Sequence, residues 1–246
     1  MGNYRLDLSY DGSRYRGWQR LDNPDLTIQG KLEQVISRML GVETEVIGSG
    51  RTDGGTHAMG QVANFHGKTE LSCGEILAYL RQYLPEDIGV QAVTAVDERF
   101  HSRYNAVEKT YRYRIWNSDA PCVFERKYVW QMPEPLDLGR MEEAASLLLG
   151  THDFLPFSSL KKSKKSTVRT LRRLEIRRAG PEVQITATAD GFLYHMVRIL
   201  VGTLVEVGLK RRDTAEIPAI FETGIRAEAG ETVPAKGLCL MEVVYR

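Results

Sequence analysis

Between two alternating apolar runs the chain carries Gly48-Ser49-Gly50-Arg51-Thr52-Asp53-Gly54-Gly55-Thr56-His57-Ala58, and no other stretch constrains it as strongly. A carboxylate, a guanidinium, a hydroxyl and an imidazole sit within a few residues of each other, among glycines that take positive φ without steric cost. Val42 to Ile47 alternates before the stretch and Gln61 to His66 alternates after it, so the segment is expected to join two strands. Asp-Gly between strands is a hairpin signal, and on that ground Asp53 serves equally well as a turn residue. Hairpin connections take about two to five residues, however, and this one is about twice as long. Arg51, Asp53 and His57 are also more chemistry than a turn requires. A dinucleotide-binding reading of Gly48 and Gly50 fails on context, because a strand follows them and no helix N-terminus awaits a pyrophosphate.

The 246 residues suffice for one large domain or two halves, and 42% hydrophobic with 26% charged residues is ordinary for a globular enzyme. No apolar run is long enough to cross a bilayer, and Met1 to Arg5 leads into a strand pattern without a signal peptide, so a cytoplasmic setting is expected. Cys73, Cys122 and Cys239 are odd in number and scattered, which argues against disulfides and against a thiolate metal site. The net charge is only +1, yet Ser158 to Arg178 holds nine Lys or Arg and one acid, Glu175. Such a run is either a solvated face or a grip on phosphates.

Taken in order, Tyr4, Leu6, Leu8 and Tyr10 alternate as a first strand. The loop after it interleaves Arg14, Tyr15, Arg16, Trp18 and Arg20; its cations can hold a phosphate backbone, and Tyr15 and Trp18 either stack on bases or cover the sheet edge. Thr27 caps an amphipathic helix ending at Gly41, and Ser72-Cys73-Gly74-Glu75 is a capping box opening a second helix that Pro85 stops. A strand over Val90 to Val96 completes the order β-α-β-β-α-β. Strands over Thr110–Trp116 and around Tyr128 to Gln131, a helix from Leu138 to Leu149 and a long loop over Thr151–Thr167 follow. Then come a hairpin across Ala179-Gly180-Pro181, a long helix over Phe192–Leu209, a short one near Ile217 and a last strand from Leu238. The order of elements repeats, so the chain reads as α+β with two ferredoxin-like halves, residues 1–104 and 105–246, their sheets joined side by side around a central cleft. The helix from Phe192 is apolar nearly all round yet carries His195 and Arg198. A buried guanidinium needs a carboxylate, and a structural partner in the core satisfies that need as well as a catalytic one does.

Together these segments resemble the tRNA pseudouridine synthase A family over most of the chain. The matching residues are Tyr10-Asp11-Gly12, Tyr15-Arg16-Gly17-Trp18-Gln19, Thr27-Ile28-Gln29-Gly30, Gly50-Arg51-Thr52-Asp53, His57-Ala58 with Gly60-Gln61-Val62, and Phe100-His101 with Arg103, Lys109, Tyr111 and Tyr113. The C-terminal half adds Gly150 with His152-Asp153-Phe154, Phe192-Leu193 with Met196-Val197-Arg198, Gly202-Thr203-Leu204, and Pro234 to Leu238. The resemblance implies the pseudouridine synthase fold with an RNA-binding cleft, and isomerisation of uridine to pseudouridine at positions 38, 39 and 40 of the tRNA anticodon stem-loop. It also implies a homodimer and no cofactor or metal. It makes Asp53 the nucleophile, sets Tyr111 against the target base, pairs Arg198 with Asp53, and puts Arg51 into the space the flipped base leaves. Arg14, Arg16, His57, Lys161, Lys162, Lys164 and Lys165 are the further residues expected to bind the RNA.

The chemistry suits these residue types. The N1–C1′ bond must break, the uracil must turn, and C5 must bond C1′ before the C5 proton leaves. An ionised carboxylate attacks the base or the sugar or assists a glycal, and a neighbouring arginine keeps it ionised. Unstacking a base costs a few kcal/mol, part of which an aromatic ring returns by stacking. The five histidines lack the close spacing of zinc ligands and are read as hydrogen-bonding residues. Where the family has Ala-Gly-Val before the histidine, this chain has Gly54-Gly55-Thr56, and Ile199 and Ser102 replace a usual Asn and Ala. A paralogue with shifted tRNA targets, or a catalytically silent tRNA-binding module, is the alternative these residues leave open.

Overall fold

Alternation at Tyr4, Leu6 and Leu8 produces strand β1 (Gly2–Tyr10) in the computed structural model, which describes residues 1–22, 26–160 and 166–246. The chain divides into two units, Met1–Val107 with Cys239–Arg246, and Glu108–Leu238. In the first unit β1 is followed by α1 (Ile28–Leu40), β2 (Val46–Gly48), β3 (His57–Gly67), α2 (Cys73–Tyr83) and β4 (Ile88–Val96). This is the expected β-α-β-β-α-β order. β1 lies antiparallel between β3 and β4, with Leu6 opposite Ala63 on one side and Val93 on the other. β2 pairs antiparallel with β3.

Local chemistry accounts for the helices. The Thr27 hydroxyl accepts from the Gly30 amide, and Gly41 ends α1 in the left-handed region at φ 70°. Ser72 and Glu75 form the reciprocal capping box of α2. The apolar faces of both helices bury Ile28, Leu32, Ile36, Ile76 and Leu80 with Leu6, Leu8 and Phe65 of the sheet.

β3 begins at His57, four residues earlier than its alternation predicts. The C-terminal strand (Leu238–Tyr245) runs parallel to it, with Cys239 opposite His57 and Leu240 opposite Ala58. That pairing gives the His57 and Ala58 backbones partners that no local pattern announces, and it groups the last eight residues with the first unit instead of the second.

The second unit contains β5 (Ala106–Trp116), β6 (Trp130–Gln131), α3 (Leu138–Leu148), β7 (Gly150–Asp153), β8 (Val168–Ala179), β9 (Glu182–Ala189), α4 (Met196–Gly208) and α5 (Ile217–Thr223). The C-terminal strand is thus β10. β9 pairs antiparallel with β5 and β8, β8 with β7, and β6 parallel with β5. One face of this sheet carries Tyr111, Tyr113, Ile115, Leu174, Ile176 and Ile185 into the core. Arg112, Arg114 and Arg177 alternate to the other, where Arg114 grips Glu182 through two bonds of 2.9 and 2.7 Å.

Two expectations are corrected here. Part of the long loop after α3 is strand β7, whose Gly150 takes φ 110°; it opens a strand as well as ending the helix region. Helix α4 starts at Met196, not Phe192, because His195 sits in the left-handed region at φ 63° and breaks the helical run. Among the described residues no helix is long and apolar enough to cross a membrane.

Candidate active site

The connection between β2 and β3 is held by main chain. Trp18 donates its amide to the Thr52 carbonyl at 3.0 Å, Gly17 and Asp53 form an isolated antiparallel bridge, and the Gly55 amide reaches the Tyr15 carbonyl at 3.2 Å. Gly17 takes φ 103°, and a Cβ there would lie 2.6 Å from the Thr52 oxygen. Glycine is therefore required where the two loops meet. Trp18 then lies over Gly48, where any Cβ would come within 2.4 Å of the indole.

Tyr15 and Trp18 are 3% and 2% exposed, so of their two readings the covering one holds and they offer no face for a base. Arg14 is paired with Asp87, which also accepts from the Tyr15 hydroxyl at 2.7 Å. Arg16 and Arg51 are exposed, and neither side chain makes a hydrogen bond or ion pair among the described residues. Asp53, two residues after Arg51, is half-buried, its carbonyl accepting from the Thr56 amide at 3.1 Å.

His57, read as a substrate contact, is 5% exposed and faces inward. Its Nδ1 lies 3.1 Å from the Gly12 amide and 3.2 Å from an Asp11 carboxylate oxygen. One nitrogen cannot accept from the amide and donate to the carboxylate together. The backbone fixes the direction of the Gly12 N–H, so the amide is the donor to Nδ1. Gly12 itself sits where a Cβ would lie 2.0 Å from the Thr56 carbonyl. His57 thus ties the turn after β1 to the start of β3.

Thr56 occupies the position where the family usually has valine, and the structure shows the consequence. It is 1% exposed and its hydroxyl has no hydrogen-bond partner among the described residues. Thr56→Val removes a buried, unbonded hydroxyl at constant shape, so stability should rise by about 1 kcal/mol, or roughly 2–4 °C in Tm. A lower Tm in thermal unfolding would show that the hydroxyl is bonded after all. Ser102, by contrast, earns its hydroxyl a partner: it donates to the Ile47 carbonyl at 2.5 Å.

In the second unit Tyr111 is 8% exposed and meets the Phe192 ring edge-on at 5.2 Å. Tyr113, two residues on and fully buried, donates its hydroxyl to the Pro234 carbonyl at 2.7 Å. Burial drives its pKa far above the ordinary tyrosine range, with the nearby Arg198 charge opposing. Arg198 is half-buried, not engulfed as the apolar helix suggests, and its Nε donates to the Val233 carbonyl at 2.7 Å. Ile199 beside it is fully buried, so this chain fills that position with core packing. His195 accepts or donates to the Ser159 hydroxyl at 2.9 Å and stacks on Tyr194. Lys161, Lys162, Lys164 and Lys165 lie outside the described residues. The sequence named the Asp53 loop but assigned nothing to Gly17, Tyr10 or Gln61. Their only signal was membership of the ordered motifs.

A carboxylate on a main-chain-anchored loop, with exposed guanidiniums before it in sequence, is an arrangement suited to an enzyme that works on a polyanion. The sequence profile of the family described as tRNA pseudouridine synthase matches residues 8–105 and 144–246. The chain belongs to that family and is an isomerase acting on tRNA. It is 48% identical, over the whole of both chains, to "tRNA pseudouridine synthase A 2" of Bacillus cereus and to "tRNA pseudouridine synthase A" of Bacillus sp.. It is 43% identical, again over both full lengths, to the protein of that name from Acetivibrio thermocellus. Among solved structures a chain of the Cbf5-Nop10-Gar1 complex aligns with TM-score 0.37 and 12% identity, over 84% of this chain and 45% of that one.

Proposed function

We propose that this chain converts uridine to pseudouridine at positions 38, 39 and 40 of the tRNA anticodon stem-loop, with Asp53 as the nucleophile, acting as a cytoplasmic homodimer. The observation that carries the reading is the Asp53 loop, fixed through its backbone to Gly17 and Trp18 while the side chain keeps access to solvent. A nucleophile must be held in place before the substrate arrives, and main-chain anchors do this without using its reactive atoms. Arg51 and Arg16, exposed on the same pair of loops, suit RNA: one enters the stem as the base leaves it, the other meets phosphate. Arg14, already paired with Asp87, is a weaker phosphate ligand than its sequence position suggests.

Tyr111, packed edge-on against Phe192, is the aromatic that meets the uracil once it is extruded, and Arg198 is the cation that pairs with the nucleophile. The lysines from 161 to 165 extend the phosphate contacts. In the reaction the N1–C1′ bond breaks, C5 bonds C1′, the C5 proton leaves to solvent and N1 takes up one proton, so atoms and charge balance without a cofactor.

The test uses tRNAs carrying tritium at C5 of a single uridine, at position 38, 39 or 40. Each site that is isomerised should release its tritium stoichiometrically. Release at other uridines only would mark a paralogue with shifted targets, and no release from any tRNA that binds would leave a silent binding module.

A further inference from the structure

Beneath the Asp53 loop lies a chain of buried polar side chains that the reaction as described does not use. Tyr10, Ser49, Thr52 and Gln61 are 4%, 0%, 7% and 0% exposed. The Tyr10 and Thr52 hydroxyls are 2.8 Å apart, with one O–H between them. Gln61 Nε2 donates to the Tyr10 oxygen at 3.3 Å and to the Gly50 carbonyl at 3.2 Å. Its Oε1 accepts from the Ser49 hydroxyl at 2.6 Å and from the Val62 amide at 3.2 Å. All four hydrogen-bonding sites of the amide are thus filled.

The register places this chain under the loop. Leu8 lies opposite Gln61 but Tyr10 lies opposite Ala58, so β3 carries one extra residue at the end of β1. A bulge of this kind re-aims a side chain, and here it turns the Tyr10 phenol toward the loop. Burial raises the Tyr10 pKa far above its usual range, so the hydroxyl keeps its proton.

We propose that Tyr10 and Gln61 are positioning residues that act through Ser49, Gly50 and Thr52 to aim the Asp53 carboxylate. An apolar core at this point would support the loop without direction. Hydrogen bonds to residues 49, 50 and 52 fix the backbone immediately before residue 53 in both distance and angle. Reactions that need a near-attack geometry lose about a hundredfold for a displacement of about 1 Å, so directional anchors are worth their desolvation. The inference rests on Asp53 being the nucleophile.

The test compares Tyr10→Phe, Thr52→Val and the double variant with Asp53→Asn, reading kcat, KM for tRNA and Tm in each. Tyr10→Phe should lower kcat by about 10- to 100-fold with KM within about twofold of the parent. Thr52→Val should do the same, and the double variant should be no more than about threefold worse than either, since both remove one shared bond. Thr52→Ser, which keeps the hydroxyl, should recover most of the loss. A lower Tm with kcat at the parental value in both single variants would make the network structural only and overturn the proposal. So would a rise confined to KM. If Asp53→Asn is inactive while Tyr10→Phe is fully active, positioning fails and the nucleophile stands. If Asp53→Asn is itself active, the reading of Asp53 fails first.

Discussion

Asp53→Asn should leave the chain folded and able to bind tRNA while pseudouridine formation falls by at least about a thousandfold. Backbone atoms make bonds that place this residue. The Thr56 amide reaches the Asp53 carbonyl, Gly17 pairs with the Asp53 main chain, and Trp18 holds the Thr52 carbonyl. None of these bonds depends on the carboxylate, and asparagine has the same shape. The loop should therefore keep its course and Tm should stay within a few degrees of the parent. An amide is neither an anion nor a nucleophile, so the chemical step alone is removed. Filter binding with tRNA, thermal unfolding and nucleoside analysis of the product tRNA separate the three quantities. Turnover within tenfold of the parent would remove Asp53 from the nucleophile's role.

How legible the chain was depended on how local each determinant is. Thr27 with Gly41, and Ser72 with Glu75, mark α1 and α2 because a cap is satisfied within one helical turn. The start of β3 was illegible because His57 and Ala58 are paired by β10, whose residues come from the far end of the chain. Strand β7, Gly-Thr-His-Asp, is too short and polar for periodicity and exists through its pairing with β8. The first turn expected of α4 is lost at His195, a left-handed residue that no propensity anticipates.

The candidate site divides in the same way. Asp53, Arg51 and the glycines stand out as chemistry between strands. Tyr15 and Trp18 were ambiguous until Gly48 was seen to leave the space that the indole fills. His57 reads as reactive in sequence because imidazole is versatile, and only the Gly12 amide shows it serving the fold. Tyr10 and Gln61 look like ordinary strand positions, since the bulge that joins them is a matter of register.

Arg198→Met should abolish most of the activity at a modest cost in stability, and the two readouts decide what the arginine is for. Eleven of the thirteen residues of α4 are buried; Arg198 and Glu206 are the exceptions. Glu206 is accounted for locally, by Arg212 and the Glu231 amide. Arg198 donates from Nε to the Val233 carbonyl, and its charge is felt by Tyr113. If that bond were its whole purpose, methionine would forfeit about 1–2 kcal/mol and lower Tm, while kcat stayed near the parent. If Arg198 is the cation of the reaction, it is worth far more in kcat than in stability. Replacement by methionine should then lower kcat by at least about a hundredfold. Lysine restores the charge but not the planar fork, so Arg198→Lys should recover part of kcat while its Tm stays as low as that of the methionine variant. A methionine variant as active as the parent would make Arg198 a tie for the Val233 segment and nothing more, and a lysine variant as inactive as methionine would show that charge alone is not what the reaction takes from Arg198.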